Sequence, residues 1–159
     1  MLKRLIAWFL FDQTLNIRMP VEEEKTRLLE IFNSARLSAG CFTEDPLDLA
    51  EFSRRINGEV VHVAEIGGQI AGFVSVWEAQ AFIHHLYVCP RFQGQGLGKA
   101  LLQMCERRYG RPLSLKCICA NRRALGFYRR NGWISKGSGS GVDGAWERLW
   151  LKSTRDEVE

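Results

Sequence analysis

One continuous stretch of this chain, residues 84–104, restricts its fold more than any other feature of the sequence. Residues 86–88 form an apolar run typical of a strand, and Pro90 ends that run because proline has no N–H to give to a sheet. Glycines follow at positions 94, 96 and 98, and apolar residues then recur at the spacing of one helical face. A strand, a glycine loop and the start of a helix in direct succession predict a phosphate-binding site. The first turn of a helix has unpaired N–H groups, and glycine lacks the Cβ that would keep an anion away from the backbone.

Other phosphate-binding motifs do not fit the spacing of this loop. A Walker A loop would need a glycine at position 93 and Ser or Thr at position 100, where the chain has Gln93 and Ala100. A dinucleotide fingerprint would have its third glycine one residue after Gly98 and an acidic residue about twenty positions further on. Residues 113–121 contain neither Asp nor Glu. A plain tight turn is the remaining alternative, but three spaced glycines would cost backbone entropy without a gain in packing.

Residues 93–98, QGQGLG, resemble the acetyl-CoA signature of the GNAT superfamily of N-acetyltransferases. That signature is Gln or Arg, two residues, Gly, one residue, and then Gly or Ala, and the preceding strand and proline are similar to the family's usual lead-in. The resemblance implies an α+β fold, a single GNAT-like domain with a mixed, mostly antiparallel central sheet flanked by helices. In this family two neighbouring parallel strands splay apart, and the pantetheine arm of the cofactor fills the gap.

The resemblance also implies an activity. A GNAT N-acetyltransferase moves the acetyl group of acetyl-CoA by direct transfer to a primary amine, here of a small molecule, a peptide or a protein. The co-substrate is acetyl-CoA, and no metal is expected. The alternative is a non-catalytic acyl-CoA sensor with the same fold, and the residues leave the identity of the amine open.

Residues 121–133 carry a second signature. Asn121 is predicted to cap a short helix that Gly132 ends. The segment resembles the family's later motif, which has Asn, Ala three residues on, an aromatic residue or Leu followed by Tyr, and finally Gly and an aromatic residue. The resemblance implies that Tyr128 is the general acid, since a phenol of pKa about 10 can protonate the departing thiolate of coenzyme A. Without the resemblance, a Tyr at this spacing would be a core residue with a hydrogen-bonded hydroxyl.

The two signatures together imply a set of cofactor-binding residues. Backbone groups of Leu86 and Val88 would bond the pantetheine arm as a further strand would. Lys99 adds positive charge beside the glycine loop, and Arg123 is the candidate for the 3′-phosphate of coenzyme A. The full predicted set is Leu86, Tyr87, Val88, Gln93, Gly94, Gln95, Gly96, Leu97, Gly98, Lys99, Asn121, Arg123 and Tyr128.

His84 is the predicted general base, which would take a proton from the substrate ammonium. His84 and His85 follow each other in a strand and should point to opposite faces. His84 aligns with a place where family members often carry Glu or His facing the cleft, and a neutral imidazole can accept the proton directly or through water. His85, Glu78, water alone, or a merely hydrogen-bonded histidine are the alternatives. Cys41 or Cys89 as an acyl-carrying nucleophile would lack a paired base in the sequence.

Two helices are predicted ahead of the main strands. The first covers residues 21–37, where Pro20 and a run of glutamates mark the start. The second is predicted to have Asp45 as its cap and Pro46 at its first position, and to end at Gly58. Both helices would cover one side of the substrate cleft.

From residue 59 the hydrophobic period changes to two, which is typical of strands. Strands are predicted on both sides of a turn at Gly67 and Gly68 and over residues 82–88, and their short connections predict antiparallel pairing. A further strand over residues 113–119 follows a helix and should run parallel to its predecessor.

The predicted domain covers residues 15–152. Residues 1–14 are predicted to be an N-terminal extension, a strand or a docked helix, because their apolar run is short for a signal peptide or a membrane span. Residues 137–144 are rich in glycine and serine and predict a loop that is not ordered alone, followed by a closing strand over 145–151. The tail, residues 153–159, is predicted to be frayed.

Composition restricts the partners and the compartment. A net charge of +4 on 159 residues suits a polyanionic small ligand but is too weak to predict nucleic-acid binding. The arginines within residues 122–130 form two thin stripes on a helix, without the interleaved aromatic residues that base stacking needs. Five cysteines without a framework spacing predict a reducing, cytoplasmic location, and no paired Cys or His set completes a zinc site. No membrane contact is expected, and a monomer or a homodimer is possible.

Overall fold

The computed structural model describes residues 14–152 of the chain. Residues 1–13 and 153–159 lie outside the described residues, and the predictions of an N-terminal extension and of a frayed tail fall there. In the described part of the chain, no helix is both long enough and apolar enough to cross a membrane.

The described residues form one seven-stranded sheet with helices on both faces. The helices are α1 (Lys25–Ala39), α2 (Leu49–Arg55), α3 (Leu97–Tyr109) and α4 (Arg122–Arg130). The strands are β1 (Leu15–Arg18), β2 (Val60–Ile66), β3 (Gln69–Trp77), β4 (Phe82–Val88), β5 (Leu113–Ile118), β6 (Ile134–Gly141) and β7 (Gly144–Leu151). The sheet order is β1-β2-β3-β4-β5-β7-β6, and among the strands within residues 14–152 only β4 and β5 pair in parallel. This arrangement confirms the predicted α+β fold with a mixed, mostly antiparallel sheet.

The parallel pair β4 and β5 separates soon after it begins. The registered partners are Phe82 with Ser114 and Ile83 with Leu115, although β4 continues to Val88. Beyond Ile83 the two strands no longer share a ladder, so backbone groups of β4 face an opening in the middle of the sheet. The predicted splayed pair is therefore present, and it lies directly before the glycine loop.

The two faces of the sheet carry separate hydrophobic cores. On one face, α1 and α2 bury Phe32 and Phe52 completely, and the Phe52 ring lies 6.0 Å from that of Phe73 on β3. On the other face, α3 and α4 bury Leu101 and Leu125 against the sheet. Each such side chain stabilises the fold by about 1.5–3 kcal/mol through removal of apolar surface from water.

The predicted start of α2 at Asp45 and Pro46 is wrong, because α2 begins after Asp48. The Asp48 side chain accepts a hydrogen bond from a backbone N–H of the first turn at 2.8 Å, as an N-cap does. The amide of Asn33 on α1 bonds both the backbone N–H and the carbonyl of Leu47, each at 2.9 Å. These long-range bonds occupy the Leu47 backbone groups and leave Asp48 to cap the helix.

The predicted loop over residues 137–144 is also wrong, because residues up to 141 belong to β6 and pair with β7. A Cβ at Gly139 would overlap the indole of its cross-strand partner Trp146, so the glycine leaves room for that ring to lie across β6. The tip of the β6–β7 hairpin is held by the segment after α1. Asp143 accepts a hydrogen bond from the Thr43 backbone N–H at 2.9 Å, and the Thr43 hydroxyl donates to the Val142 carbonyl at 3.1 Å.

Candidate active site

A cavity of about 540 Å³ lies at the opening between β4 and β5. Residues of α1 line it from one face of the sheet, and residues of α3 and α4 line it from the other, so the cavity extends through the gap. The predicted site residues that line it are Leu86, Tyr87, Val88, Gln93, Gly94, Gly96, Leu97, Gly98, Lys99, Asn121, Arg123 and Tyr128. Gln95 and His84 do not line it. The two sequence signatures therefore meet in one cavity.

The glycine loop begins the helix α3 with open backbone amides. Gly94 and Gly96 have φ angles of +79° and +83°, which L side chains rarely adopt, and a Cβ built on either would have no atom within 4 Å. Gly96 is the N-cap of α3, and no side chain caps the first turn. The Gln93 side chain donates to the Val88 carbonyl at 3.0 Å and so ties the loop to the end of β4. A loop of this form can hold an anion on its N–H groups.

Gly98 has a different reason to be glycine. It lies inside α3, and a Cβ there would approach Cζ of Phe127 on α4 to 3.2 Å. The third glycine thus allows the close packing of α3 on α4, a packing gain that the spacing of the glycines did not predict. Asn121 caps α4 as predicted, because its side chain accepts from the Ala124 N–H at 3.1 Å, and its role in cofactor binding stays a prediction.

Tyr128 projects from α4 into the cavity with little exposure to solvent. Only 8% of its surface is accessible, and its ring packs against those of Phe127 and Trp133 at centroid distances of 5.2 Å and 5.9 Å. Burial raises the pKa of the Tyr128 hydroxyl well above its usual value of 10. The hydroxyl therefore keeps its proton at neutral pH and can donate it to an acceptor in the cavity.

His84 and His85 lie on the same face of the sheet, so the prediction that they point to opposite faces is wrong. The pairing with β3 shifts between Ser75, opposite His85, and Val76, opposite Ile83, which makes His84 an extra residue in β4. Such a bulge breaks the alternation of faces. The two imidazole rings are 3.9 Å apart, and both approach the carboxylate of Glu59.

Glu59 is the buried partner that sequence reasoning missed. Its side chain is only 4% exposed, Oε1 accepts a hydrogen bond from Nδ1 of His84, and Oε2 is 3.5 Å from Nδ1 of His85. The Ser75 hydroxyl is hydrogen-bonded to the same His85 nitrogen at 2.9 Å. Burial alone would raise the pKa of Glu59, but the polar groups around the carboxylate, above all the hydrogen bond from His84, outweigh it and hold the pKa at about 2, although Oε2 itself has no hydrogen-bond partner.

The two histidines of this cluster differ in exposure. The His84 side chain is 44% exposed, whereas His85 is buried against Phe32 of α1, and burial lowers the pKa of His85. One potential ligand atom from each of Glu59, His84 and His85 lies within 4.8 Å of the others. Hydrogen bonds and ion pairs already join these atoms, and the prediction that no metal is needed stays a prediction.

The other candidates for proton transfer or covalent catalysis are less well situated. Glu78 is exposed in a short turn after β3 and does not line the cavity. Burial raises the pKa of the Cys41 thiol, which disfavours the thiolate that a nucleophile needs. Cys89 is buried in the core beneath α1.

Comparison with known proteins identifies the family. The model of the acetyltransferase (GNAT) family matches residues 25–133, from the start of α1 to the last residue of the second signature. The chain belongs to the GNAT family of acetyltransferases.

Two sequence relatives of this GNAT protein carry specific names. It is 34% identical over 85 residues to the peptidyl-lysine N-acetyltransferase YiaC of Escherichia coli K12, a match that covers 54% of the chain and 53% of YiaC. The match thus spans about half the length of that relative. It is 27% identical over 114 residues to a candidate ribosomal protein bS18-alanine N-acetyltransferase of Bacillus subtilis 168, covering 67% of the chain and 76% of that protein.

Solved GNAT structures share the fold at low sequence identity. A GCN5-related N-acetyltransferase from Rhodopseudomonas palustris has a TM-score of 0.74 and 23% identity, covering 88% of the chain and 96% of its own. The yncA protein from Salmonella typhimurium, solved with its cofactor acetyl-CoA, has a TM-score of 0.67 and 23% identity, covering 87% and 93%. At this identity the likeness establishes the fold alone.

In this GNAT protein one arginine of α1 joins three segments beside the cavity. Arg36 forms ion pairs with Glu44 and Asp143 at 3.3 Å and stacks over the ring of Phe42 at 3.8 Å from its centroid. Its guanidinium also reaches the Tyr87 hydroxyl at 3.5 Å. Arg36 therefore holds the segment after α1 and the β6–β7 tip together, and local sequence offers no signal for a contact between such distant residues.

The arginines of α4 divide into two kinds. Arg129 pairs with Glu147 of β7 at 3.0 Å, so its charge already has a partner. Arg123 and Arg130 are exposed and line the cavity near Lys99 of the glycine loop. The cationic side of the GNAT cavity is therefore built by α4 and the start of α3.

Proposed function

We propose that the protein transfers an acetyl group from acetyl-CoA directly to a primary amine of a small molecule, peptide or protein, with Tyr128 as general acid and His84 as general base. The observation that carries this proposal is the cavity that joins the glycine loop to Tyr128 through the gap between β4 and β5. When bound, acetyl-CoA supplies a thioester whose acetyl carbon is open to attack by an amine.

The residues around the cavity fit a long anionic thioester. The open space beside Gly94 and Gly96 and the uncapped first turn of α3 suit a diphosphate. Lys99, Arg123 and Arg130 would add positive charge for the remaining phosphate. Leu86 and Val88 lie past the last registered pair of β4 with β5, where their backbone can bond an extended chain.

Tyr128 suits the role of acid because its hydroxyl stays protonated within the cavity. A thiolate leaving group needs a proton, and a buried phenol can give one without competition from water. The raised pKa of Tyr128 means that the phenol is protonated over the whole physiological pH range, and a thiolate formed in the same buried cavity is the acceptor that would take its proton.

His84 suits the role of base because Glu59 fixes its tautomer. The bond from Nδ1–H to the Glu59 carboxylate leaves Nε2 with a free lone pair, which can accept a proton from the incoming ammonium. His84 does not line the cavity itself. The proton would therefore move from the ammonium to His84 at the edge of the cavity or through one water. His85, whose Nδ1 is hydrogen-bonded to buried Ser75, and Glu78 are the weaker candidates.

The relatives and the cysteines support the remaining parts of the proposal. The names of YiaC and the Bacillus subtilis relative both specify amines, of a peptidyl lysine and of an alanine. The five cysteines are all free in the structure, which favours a reducing, cytoplasmic compartment.

Thiol release from acetyl-CoA in the presence of a panel of amines tests the proposal. We expect release that depends on both the amine and the protein, together with acetyl-CoA binding by calorimetry. Binding without release for every amine would favour the acyl-CoA sensor instead. Absence of binding by folded protein to any acyl-CoA would overturn both functions.

Tyr128→Phe separates binding from chemistry. We expect acetyl-CoA to bind the variant with an unchanged Kd, while kcat falls by roughly 10²–10⁴, the range of general acid catalysis. Tyr109→Phe is the matched control, since it removes the same hydroxyl from a tyrosine that does not line the cavity and whose partner is His62. A variant at position 128 with wild-type kcat would exclude the phenol as the acid.

A further inference from the structure

A positively charged shelf lies on β5 and β7 beside the candidate base. The pairing of Lys116 with Arg148 and of Ser114 with Trp150 puts these four side chains on one face of the sheet. It is the face opposite to Leu115 and Leu149, which are buried in the core under α3 and α4. We call Lys116 and Arg148, with the aromatic rings that contact them, the β5–β7 shelf.

Aromatic rings hold the guanidinium of Arg148 in place. Its Cζ lies 4.8 Å from the ring centroid of Trp150 and 5.7 Å from that of Phe82. Its Nη2 donates to the hydroxyl of Ser114, which is completely buried, at 3.2 Å. The Lys116 ammonium is placed in a similar way, 4.1 Å from the ring centroid of Trp146. Stacking restricts these cations without neutralising them.

The charge of Arg148 has no counter-ion within residues 14–152. None of the ion pairs of those residues includes Arg148 or Lys116, whereas Arg36 and Arg129 each meet a carboxylate. The Nε atom of Arg148 is buried without a hydrogen-bond partner. A half-buried guanidinium that lacks an anion leaves part of its desolvation cost uncompensated. The flat, multiply donating guanidinium matches a carboxylate best.

The shelf lies next to the place where the amine would lose its proton. Both groups have the Phe82 ring as a neighbour: its centroid lies 6.2 Å from that of the His84 ring and 5.7 Å from Cζ of Arg148. On the acceptor side, the contact of Thr43 with Asp143 joins the segment after α1 to the β6–β7 tip. Phe82 is thus a common neighbour of His84 and Arg148, and an acceptor bound over this ring would lie near both.

We propose that Arg148, assisted by Lys116, binds a carboxylate of the acceptor, so that the acceptors are small amines that carry a carboxylate, of which free amino acids are the simplest. This inference rests on the proposed function and adds the substrate class to it. It gives a role to an arginine that no part of the acid–base mechanism uses.

Pairs of amino acids and their amides test the proposal, because an amide keeps the amine and removes the negative charge. We expect the wild-type protein to show a KM for the best amino acid at least about tenfold below that for its amide, in line with one charge-assisted bond. KM is the readout because the amine of an amide has a lower pKa, which changes kcat independently. Arg148→Gln should raise KM for the acid about tenfold and leave KM for the amide unchanged. Arg107→Gln, an exposed residue of α3 with the same charge change, should keep the preference.

The outcomes distinguish this inference from the proposed function. If the wild-type protein acetylates amides and amino acids with equal KM, the carboxylate-binding subsite is overturned, whereas the proposed acetyltransferase function is retained. If acetyl-CoA binds and no amine reacts, the proposed function fails. Calorimetric titration of the same acid and amide into the complex with coenzyme A then decides the subsite without turnover. Tighter binding of the acid than of the amide supports the subsite if Lys116→Gln or Arg148→Gln weakens this preference. Equal binding of acid and amide, or binding of neither, overturns the subsite.

Discussion

Replacing Glu59 with glutamine should destabilise the protein at neutral pH by about 2–3 kcal/mol. The Glu59 side chain is 4% exposed, and its pKa is about 2 instead of the ordinary 4.5. That difference corresponds to about 3 kcal/mol of favourable interaction of the carboxylate with its partners. Glutamine keeps the shape and one acceptor oxygen, so part of the hydrogen bonding to His84 survives and the loss should lie somewhat below that value.

The dependence on pH follows from the direction of the pKa change. Because the pKa of Glu59 is lower in the folded protein than in the unfolded chain, its stabilisation is complete above about pH 4.5 and is lost as the pH falls towards 2. The free energies of unfolding of the wild type and Glu59→Gln should therefore differ most at pH 7 and converge below pH 4.5. Urea unfolding followed by tryptophan fluorescence at pH 7, 4.5 and 3.5 measures both curves.

Glu22→Gln is the matched control, since the Glu22 side chain is 81% exposed and pairs with Lys25 on the surface. It should change the free energy of unfolding by less than about 0.5 kcal/mol. A Glu59→Gln variant within about 0.5 kcal/mol of the wild type at pH 7 would refute the reasoning that the histidine bonds outweigh the burial of the carboxylate. A difference that does not shrink on acidification would refute the assignment of the low pKa to Glu59. The same variant should lower kcat and leave the Kd of acetyl-CoA unchanged.

Three further predictions concern the loop, the buried histidine and the hairpin tip. Gly96→Ala should lower the free energy of unfolding by about 1–2 kcal/mol, because φ is +83° there, and should weaken acetyl-CoA binding in calorimetry; unchanged stability would contradict the strained backbone. Burial lowers the pKa of His85 from its ordinary 6.5, so the stabilisation by its neutral form is complete above that pH and is lost on acidification. His85→Gln should therefore lose less stability than the wild type between pH 7 and 5.5 in urea unfolding; an equal loss in both proteins would contradict this role of His85. Asp143→Asn should cost about 1–2 kcal/mol and increase hydrogen exchange at the β6–β7 tip, because it weakens the bonds to Thr43 and Arg36; protection equal to the wild type would mean that the tip is held otherwise.

The parts of the fold that sequence reasoning predicts well are those determined by neighbours in the chain. The strand before the loop, the glycine turn and the helix after it all follow from short-range patterns, and the structure has β4 and α3 at those residues. Asn121 caps α4 as its position predicts. The pairing of β4 with β5 also follows, because a helical connection leads to a parallel neighbour.

The failures occur where a distant partner decides the local structure. Asp45 and Pro46 satisfy the local rules for a helix start, yet Asn33 binds the backbone of Leu47 and the helix begins after Asp48. The glycine-rich residues before the hairpin tip have low strand propensity, and pairing with β7 makes them a strand. Only knowledge of the partner residues could have predicted these two features.

The bulge at His84 is the feature on which the acceptor side of the site most depends. Ile83 and Leu86 both pack in the core under α3 and α4, although two residues instead of one or three separate them, so an extra residue must interrupt the alternation. Without it, either Phe82 and His84 or His85 and Tyr87 would turn to the other face. The single inserted residue keeps both pairs on one face, with Glu59 between the histidines and Arg148 against Phe82. Strand periodicity alone predicts one histidine on each face, and it therefore cannot predict the pairing of His84 with Glu59, or the proposed anion-binding subsite beside it.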